Sequence, residues 1–527
     1  MKKFILFIPF ALLFYSASAQ KKAPVIKPYS ADEAKEAKKE ADVAFKSLSY
    51  GYARTFYERL VVTEPNNVEY NHRLGLCYLN TNVNKGKAVS YLEYVANSNA
   101  KDKPKDILFD LGKAYHYAGL YDQALETYEK FRESKGGTVD AKLKFDLWVE
   151  WSENANKLTE TPIRASWSNP GKTINSAQSD YRPLRGAADT VVYFSSRRKG
   201  TMGGEMDDFG ELPTDIFFFT QNDTSRGKAK NAGINLNTEF YEETMFLSMA
   251  GDRLLVYKEG PESNGDIYIS DLQGKSWSKP VLVSKDFLTK VLETGASMSP
   301  DGMTLYFSAE EPGSKTGKDI YRCTRTPATA WSKPEKLSGS INTKWDEDMP
   351  MMWMDGKTLF FSSAGHGSMG GLDIYKSVMN DPKEGFSKPV NIGYPLNSVY
   401  DDLSLALSCD GKSAWVSAVR DSGIGDYDLW EVKLEQSLIE KPMVWLCGKG
   451  ITNVGTPAKG AFVVITEKST GYKVFEIEAN EATGRFDAAL YPGEYKVVLR
   501  HPKAGKTEAD VIIAAGESRS VVELVFP

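Results

Sequence analysis

The run Pro300-Asp301-Gly302-Met303-Thr304-Leu305-Tyr306-Phe307-Ser308 leads to Asp319-Ile320-Tyr321 and then to Trp331-Ser332-Lys333-Pro334. The chain carries this order of elements several times. The Asp element recurs as Asp215-Ile216-Phe217, Asp266-Ile267-Tyr268, Asp373-Ile374-Tyr375 and Asp428-Leu429-Trp430, with steps of 51, 53, 54 and 55 between successive Asp residues. The apolar run recurs as Val192-Tyr193-Phe194-Ser195, Leu255-Val256-Tyr257, Leu359-Phe360-Phe361-Ser362 and Ala414-Trp415-Val416-Ser417. Turn residues precede most copies: Gly251-Asp252, Asp355-Gly356 and Asp410-Gly411. The closing element recurs as Trp277-Ser278-Lys279-Pro280 and Phe386-Ser387-Lys388-Pro389. A fixed period of this size, with turn signals between short β-rich runs, predicts radial β repetition.

Asp-Gly makes a tight turn because Gly accepts positive φ. The aromatic and aliphatic run after it suits a strand packed between neighbouring sheets. One such sheet cannot cover both of its faces, whereas several around an axis can. Residues 166–434 are therefore expected to form a five-bladed β-propeller, with Asp215, Asp266, Tyr268, Asp319, Tyr321, Asp373, Tyr375, Asp428 and Trp430 as its structural repeat positions. The repeat resembles the WD40-like repeats of TolB-type propellers over about half of the chain. Propellers host binding and catalysis alike, so the fold alone does not choose between them.

At 527 residues the chain has room for about three or four domains. Its hydrophobic content of 41% and charged content of 26% are those of globular protein. The formal net charge is −5 and there is no basic block, which argues against a nucleic-acid partner. Cys77, Cys323, Cys409 and Cys447 include no Cys-x-x-Cys pair and are expected to be packed thiols. Residues 1–19 read as a secretory signal, with Lys2 and Lys3, an apolar core from Phe4 to Tyr15, and Ala17-Ser18-Ala19 for cleavage. No Cys near the cut suggests a lipid anchor, and no later run is long and apolar enough for a spanning helix.

After a linker over 20–29 the period becomes helical across 30–158. Leu74-Gly75-Leu76-Cys77-Tyr78 and Leu111-Gly112-Lys113-Ala114-Tyr115 are near copies, 37 residues apart, each followed by an amphipathic run. Ala53, Tyr57, Leu60 and Pro65 make an earlier half-copy. The segment looks like tetratricopeptide repeats, an α-solenoid whose concave face holds a peptide or protein, or which only braces the propeller. Gly75, Gly112 and Ala124 are expected to let paired helices approach, with Tyr78 and Tyr115 filling the gaps. His72 and His116 are expected to be packing or surface residues.

Candidate chemistry in the propeller is sparse. Gly313 to Lys318 lacks phosphate-loop spacing, since Asp319 follows Lys318 where Ser or Thr is needed. Acids recur before the central strands: Asp180, Glu242-Glu243, Asp346-Glu347-Asp348 and Asp401-Asp402. A rim of carboxylates for a cation or for glycoside chemistry is one reading; turn and strand-edge hydrogen bonding built into the repeat is the other, and the expected one. No Gly-x-Ser-x-Gly motif occurs, and His366 is the only His of the segment. No catalytic residue, metal site or cofactor is expected.

Residues 442–527 change pattern again. Gly484-Arg485-Phe486 and Pro492-Gly493-Glu494-Tyr495, set among short alternating strands, predict a small antiparallel β-sandwich. Their order resembles carboxypeptidase-regulatory-like domains, a name that implies no peptidase; His501 is solitary. The chain thus reads as a mainly β multidomain protein. Its order of signal, tetratricopeptide repeats, WD40-like propeller and regulatory-like sandwich resembles the PorE-type proteins. Those are periplasmic, outer-membrane-associated components of type IX secretion and gliding machinery. That resemblance implies a non-catalytic scaffold binding envelope proteins. The family usually continues into an OmpA-like domain that grips peptidoglycan; this sequence ends at Val525-Phe526-Pro527, so peptidoglycan binding is not carried over. A glycan- or peptide-binding uptake module, and a hydrolase using the rim carboxylates, are the alternatives.

Overall fold

The computed structural model describes residues 26–526 apart from 83, 102, 136–138, 141–142, 189, 207–210, 223–224, 262, 285–292, 327–329, 382–384, 421, 481–482, 503–504 and 518. The segment read as a signal, 1–19, and most of the linker lie outside the described residues. Among the described residues seven α-helices come first: α1 (Ala31–Lys46), α2 (Tyr50–Thr63), α3 (Val68–Leu79), α4 (Ala88–Asn97), α5 (Ile107–Tyr117), α6 (Tyr121–Ser134) and α7 (Phe145–Glu160). Ser30 and Glu33 form a capping box at the start of α1, satisfying two orphan backbone N–H groups. A Cβ at Gly75 would lie 2.6 Å from Leu92 of α4, and one at Gly112 only 2.3 Å from the Tyr128 ring of α6. Glycine at these two positions sets the close approach of helices within a pair. Tyr78 is buried, stacks on Tyr91 at 5.8 Å and donates its hydroxyl to Glu58. Tyr115 is half-buried and bonds Glu93, while Ala124 is fully buried.

Helix α7 fastens the helical segment to the β region. Its Trp151 indole donates to the Ala364 carbonyl at 3.0 Å, and its Asn154 amide to the Ser368 carbonyl at 3.1 Å. His116 of α5 is buried at this junction, with Nδ1 2.9 Å from Ser152 Oγ. Burial pushes its pKa down to about 3. A Cβ added at Gly370 would sit 2.8 Å from His116 Nε2. The ring is thus a packing group, and the absence of a side chain at Gly370 lets that backbone lie against it.

Between Ala165 and Leu434 lie five antiparallel sheets. Their inner strands are Asp180–Arg185, Glu242–Leu247, Glu293–Met298, Glu347–Met352 and Leu405–Leu407. Each is followed by an apolar strand: Val191–Ser196, Arg253–Gly260, Thr304–Ala309, Thr358–Ser363 and Ser413–Ala418. The strand carrying the Asp element comes third. The fourth strand of the fifth sheet is Ala165–Ser168, from before the first sheet, and pairs antiparallel with Asp428–Leu434. Both ends of the segment are therefore tied into one sheet.

Separate apolar cores fill each gap between successive sheets. Tyr193 and Ile216 pack on Leu247 and Val256; Leu255 and Ile267 on Ala296 and Phe307; Tyr306 and Ile320 on Phe361 and Tyr375. Phe360 and Ile374 meet Val416 and Trp430, and Trp415 and Leu429 return to Val192 and Phe217. The five gaps close a propeller-like ring. Tyr321 and Tyr375 both sit in these cores, 6% and 0% exposed. Cys77 and Cys323 are buried and Cys409 and Cys447 half-buried, and no disulfide joins any two of the four.

The C-terminal region packs two sheets over one core that runs from Val444 through Phe486 and Tyr495 to Phe526. One sheet is four-stranded and antiparallel. The other is mixed: Val444–Ile451 pairs antiparallel with Arg485–Leu490 but parallel with the last strand, Arg519–Val525. The expectation of an all-antiparallel unit fails there. The last strand returns across the domain to the far edge of the first, an arrangement that strand periodicity does not report.

Candidate binding site

One acid of each repeat lies inside the ring rather than on a solvated rim, whereas Asp401 is exposed and Glu243 and Asp346 are half-buried. Asp180, Glu242, Glu293 and Glu347 are 0% exposed and Asp402 is 4% exposed. Each of four belongs to a loop with an Asn followed by Ser or Thr, the hydroxyl residue four positions before the acid. The Ser or Thr backbone N–H donates to the carboxylate in all four: Ser176 to Asp180 (2.5 Å), Thr238 to Glu242 (2.8 Å), Thr343 to Glu347 (2.7 Å) and Ser398 to Asp402 (2.6 Å). A residue of the neighbouring strand adds a donor: Ser196 to Asp180, Lys258 to Glu242 and Ser363 to Glu347.

The preceding Asn clamps the Asp-element strand of a neighbouring sheet. Asn237 accepts from Ile216 N and donates to Ile216 O; Asn342 does the same at Ile320, Asn397 at Ile374 and Asn175 at Leu429. Sequence reading noticed the acids and missed this Asn-Ser/Thr pair, although its constant spacing was there to find.

The motif aspartates have a structural task as well. Asp215 accepts from Met202 N and Asn231 Nδ2, and Asp373 from Met369 N and Asn391 Nδ2. Asp428 accepts from Ile424 N and Gly425 N, and Asp319 from Thr316 and Lys336. Asp266 departs from the set, being half-buried where the others are buried; Tyr268 beside it is half-buried too, and Trp430 is buried. Burial, helped by a neighbouring carboxylate, raises Asp215 to about 6, and Glu347 and Asp373 to about 7. Raised carboxyls in a cleft would suggest general acids. These are sealed from solvent and held by their own loops.

An open recess lies elsewhere, between the helices and the first two sheets. A cavity of about 1180 Å³ is walled by Tyr50, Tyr52 and Arg54 of α2 and, opposite, by Arg197, Tyr241 and Tyr257. Its floor is an ion-paired group: Arg182 pairs with Glu243, which also accepts from the Tyr181 hydroxyl at 2.6 Å. Arg197 pairs with Glu211, and Arg54 lies 3.6 Å from Glu58. At the mouth Tyr52 is 54% and Met206 63% exposed. Tyr and Arg side chains, already held by partners, are the residue types that dominate protein recognition. No single segment of sequence shows this recess, since residues 48–82 and 177–426 build it together.

Among the described residues there is no cluster of three or more metal-ligating side chains, and no helix is long and apolar enough to cross a membrane. No protein family and no curated protein matches the chain. Among solved structures it is similar to a putative TolB from Agrobacterium tumefaciens (13% identity, 62% of this chain and 98% of that one, TM-score 0.30). It is also similar to TolB from Acinetobacter baumannii (14%, 73% and 74%, TM-score 0.29) and to an α-L-arabinofuranosidase from Lactobacillus brevis (11%, 50% and 92%, TM-score 0.32). Likeness at this level settles neither activity nor partner.

Proposed function

We propose that this chain is a non-catalytic scaffold of the bacterial envelope that binds other proteins, exported by residues 1–19 and serving type IX secretion or gliding machinery. In this reading α1–α6 are tetratricopeptide repeats, the five sheets are the blades of a propeller, and the C-terminal pair of sheets is a regulatory-like sandwich. The Tyr- and Arg-walled recess between helices and sheets carries the proposal. It is large enough for a polypeptide segment and joins two of the three platforms. Several weak contacts on one chain add through effective concentration. The hydrolase alternative is disfavoured by four of the repeated acids, Asp180, Glu242, Glu347 and Asp402, which accept from loop N–H groups instead of facing a substrate space. The test is affinity capture from envelope fractions with the intact chain and with a Tyr52→Ala, Tyr241→Ala double variant, beside a panel of glycan and peptide substrates. Loss of at least one captured envelope protein, with no turnover, is expected. An unchanged partner list would refute the recess assignment, and turnover abolished by Asp348→Asn would refute the scaffold reading.

A further inference from the structure

The centre of the ring holds a second cavity, of about 110 Å³, walled by all five inner strands. Seven of the fourteen methionines line it, among them Met245, Met298, Met349 and Met352. Unbranched thioether side chains adapt to the shape of an apolar guest. Two residues beyond each buried acid, the repeat places Arg182, Thr244, Gly295, Met349 and Ser404. Four of them line the cavity, and the fifth, Gly295, packs its backbone against Met349 so closely that a Cβ would lie 2.8 Å from its Cα. Strand register breaks at this level in four sheets, between Tyr181 and Leu184, Thr244 and Phe246, Glu293 and Gly295, and Asp348 and Met351. Arg182 and Met349 both take positive φ, +51° each. Bulges of this kind re-aim side chains, and in these four sheets they turn one repeat position towards the axis, where Ser404, just before the fifth inner strand, joins the collar.

The collar is chemically uneven. Thr244 spends its hydroxyl on the Arg182 carbonyl at 2.7 Å. Arg182 Nε and Ser404 Oγ are buried and have no hydrogen-bond partner among the described residues. Arg182 also lines the floor of the Tyr-walled recess, so the collar is where recess and shaft meet. Glu243 already neutralises the guanidinium. A neutral acceptor such as an amide carbonyl therefore suits the free Nε–H better than a carboxylate does. An apolar cavity of about 150 Å³ is known to hold a benzene ring. The smaller shaft suits one aliphatic side chain and is too narrow for an indole or a sugar ring.

We propose that the axial shaft receives a single Leu- or Ile-sized side chain of an extended polypeptide lying in the recess, while Arg182 Nε–H and the Ser404 hydroxyl take that residue's carbonyl oxygen. The proposal rests on the scaffold reading and specifies the partner: a polypeptide with one aliphatic anchor flanked by small residues.

The full mature chain, labelled with carbon-13-methyl methionine, is titrated with the acetylated amides Ser-Gly-Xaa-Gly-Ser, where Xaa is Leu, Ile or Ala. Shaft methionine methyls, assigned by single Met→Leu variants, should shift saturably with the Leu and Ile peptides. The Ala peptide should bind at least about ten-fold more weakly, from the methylene groups it leaves out. Ser404→Ala, which keeps the space, should weaken the Leu peptide about two- to ten-fold, the worth of one hydrogen bond. Ser404→Leu, which fills the space, should silence the shifts. Equal response to Leu and Ala peptides, or none at shaft methyls, overturns the proposal. So does an equal response to leucinamide alone, which would make the shaft a small-molecule site. Envelope capture that persists in a chain whose shaft ignores the peptides would sink the anchor and leave the scaffold standing.

Discussion

Glu293 offers the sharpest test of how the repeat handles its buried acids. It is 0% exposed, and among the described residues neither carboxylate oxygen has a hydrogen-bond partner. Its cross-strand neighbour is Ala309, where Asp180 and Glu347 have Ser196 and Ser363. Burial first, and the charge of Asp266 second, raise its pKa from 4.5 to about 8. An acid whose pKa is raised on folding holds its proton more tightly in the native state. Stability is therefore greatest below the unfolded pKa and falls as pH rises towards the folded one. At about 1.4 kcal/mol per pH unit, the loss by neutral pH is about 3 kcal/mol.

Two substitutions at this site should act in distinguishable ways. Glu293→Gln keeps the shape and removes the titration. It should come within about 1 kcal/mol of the parent near about pH 5 and exceed it by about 4 kcal/mol near about pH 8. Ala309→Ser supplies the hydroxyl that two other sheets already use at 2.6 and 2.7 Å. It should lower the Glu293 pKa and recover about 1.5–3 kcal/mol at neutral pH, the range for a hydrogen bond to a charged group. The assay is urea unfolding followed by tryptophan fluorescence across that pH range. Parallel pH profiles for parent and Glu293→Gln would refute the assignment of a buried proton at this site.

Tyr375→Ala should cost about 3–5 kcal/mol, because the ring is fully buried and its hydroxyl bonds the Gly365 carbonyl. Asp346→Asn should cost under about 1 kcal/mol, since the amide oxygen can still accept from Lys318 N; the reverse order in thermal unfolding would overturn the packing argument. Gly112→Ala should destabilise the helical segment by about 1–3 kcal/mol through collision with Tyr128, seen as earlier loss of helical circular dichroism, and a neutral result would mean the helices can part. N-terminal sequencing of the exported protein should find a start at or within a few residues of Gln20, and retention of Met1 in a cytoplasmic pool would contradict export.

The sequence by itself determined the local vocabulary and its period. The Asp-Ile-Tyr strands, the Asp-Gly turns and the helix-pair glycines are decisions taken within a few residues, where side-chain alternation and backbone freedom leave few alternatives. The five-fold recurrence followed from counting. Tertiary structure decided what each repeated residue faces. The acids were legible as a series, but their place inside the ring was not, because burial depends on the neighbouring sheet that supplies Asn237 or Asn342 to the Asp-element strand. The closure of the fifth sheet by Ala165–Ser168 depends on partners more than 250 residues away. The parallel pairing of the last strand likewise had no local signal. The recess and the methionine shaft lie furthest from the sequence. Each collects residues from several repeats at one point in space, and a linear pattern records the spacing within a repeat but not which positions of different repeats meet on the axis.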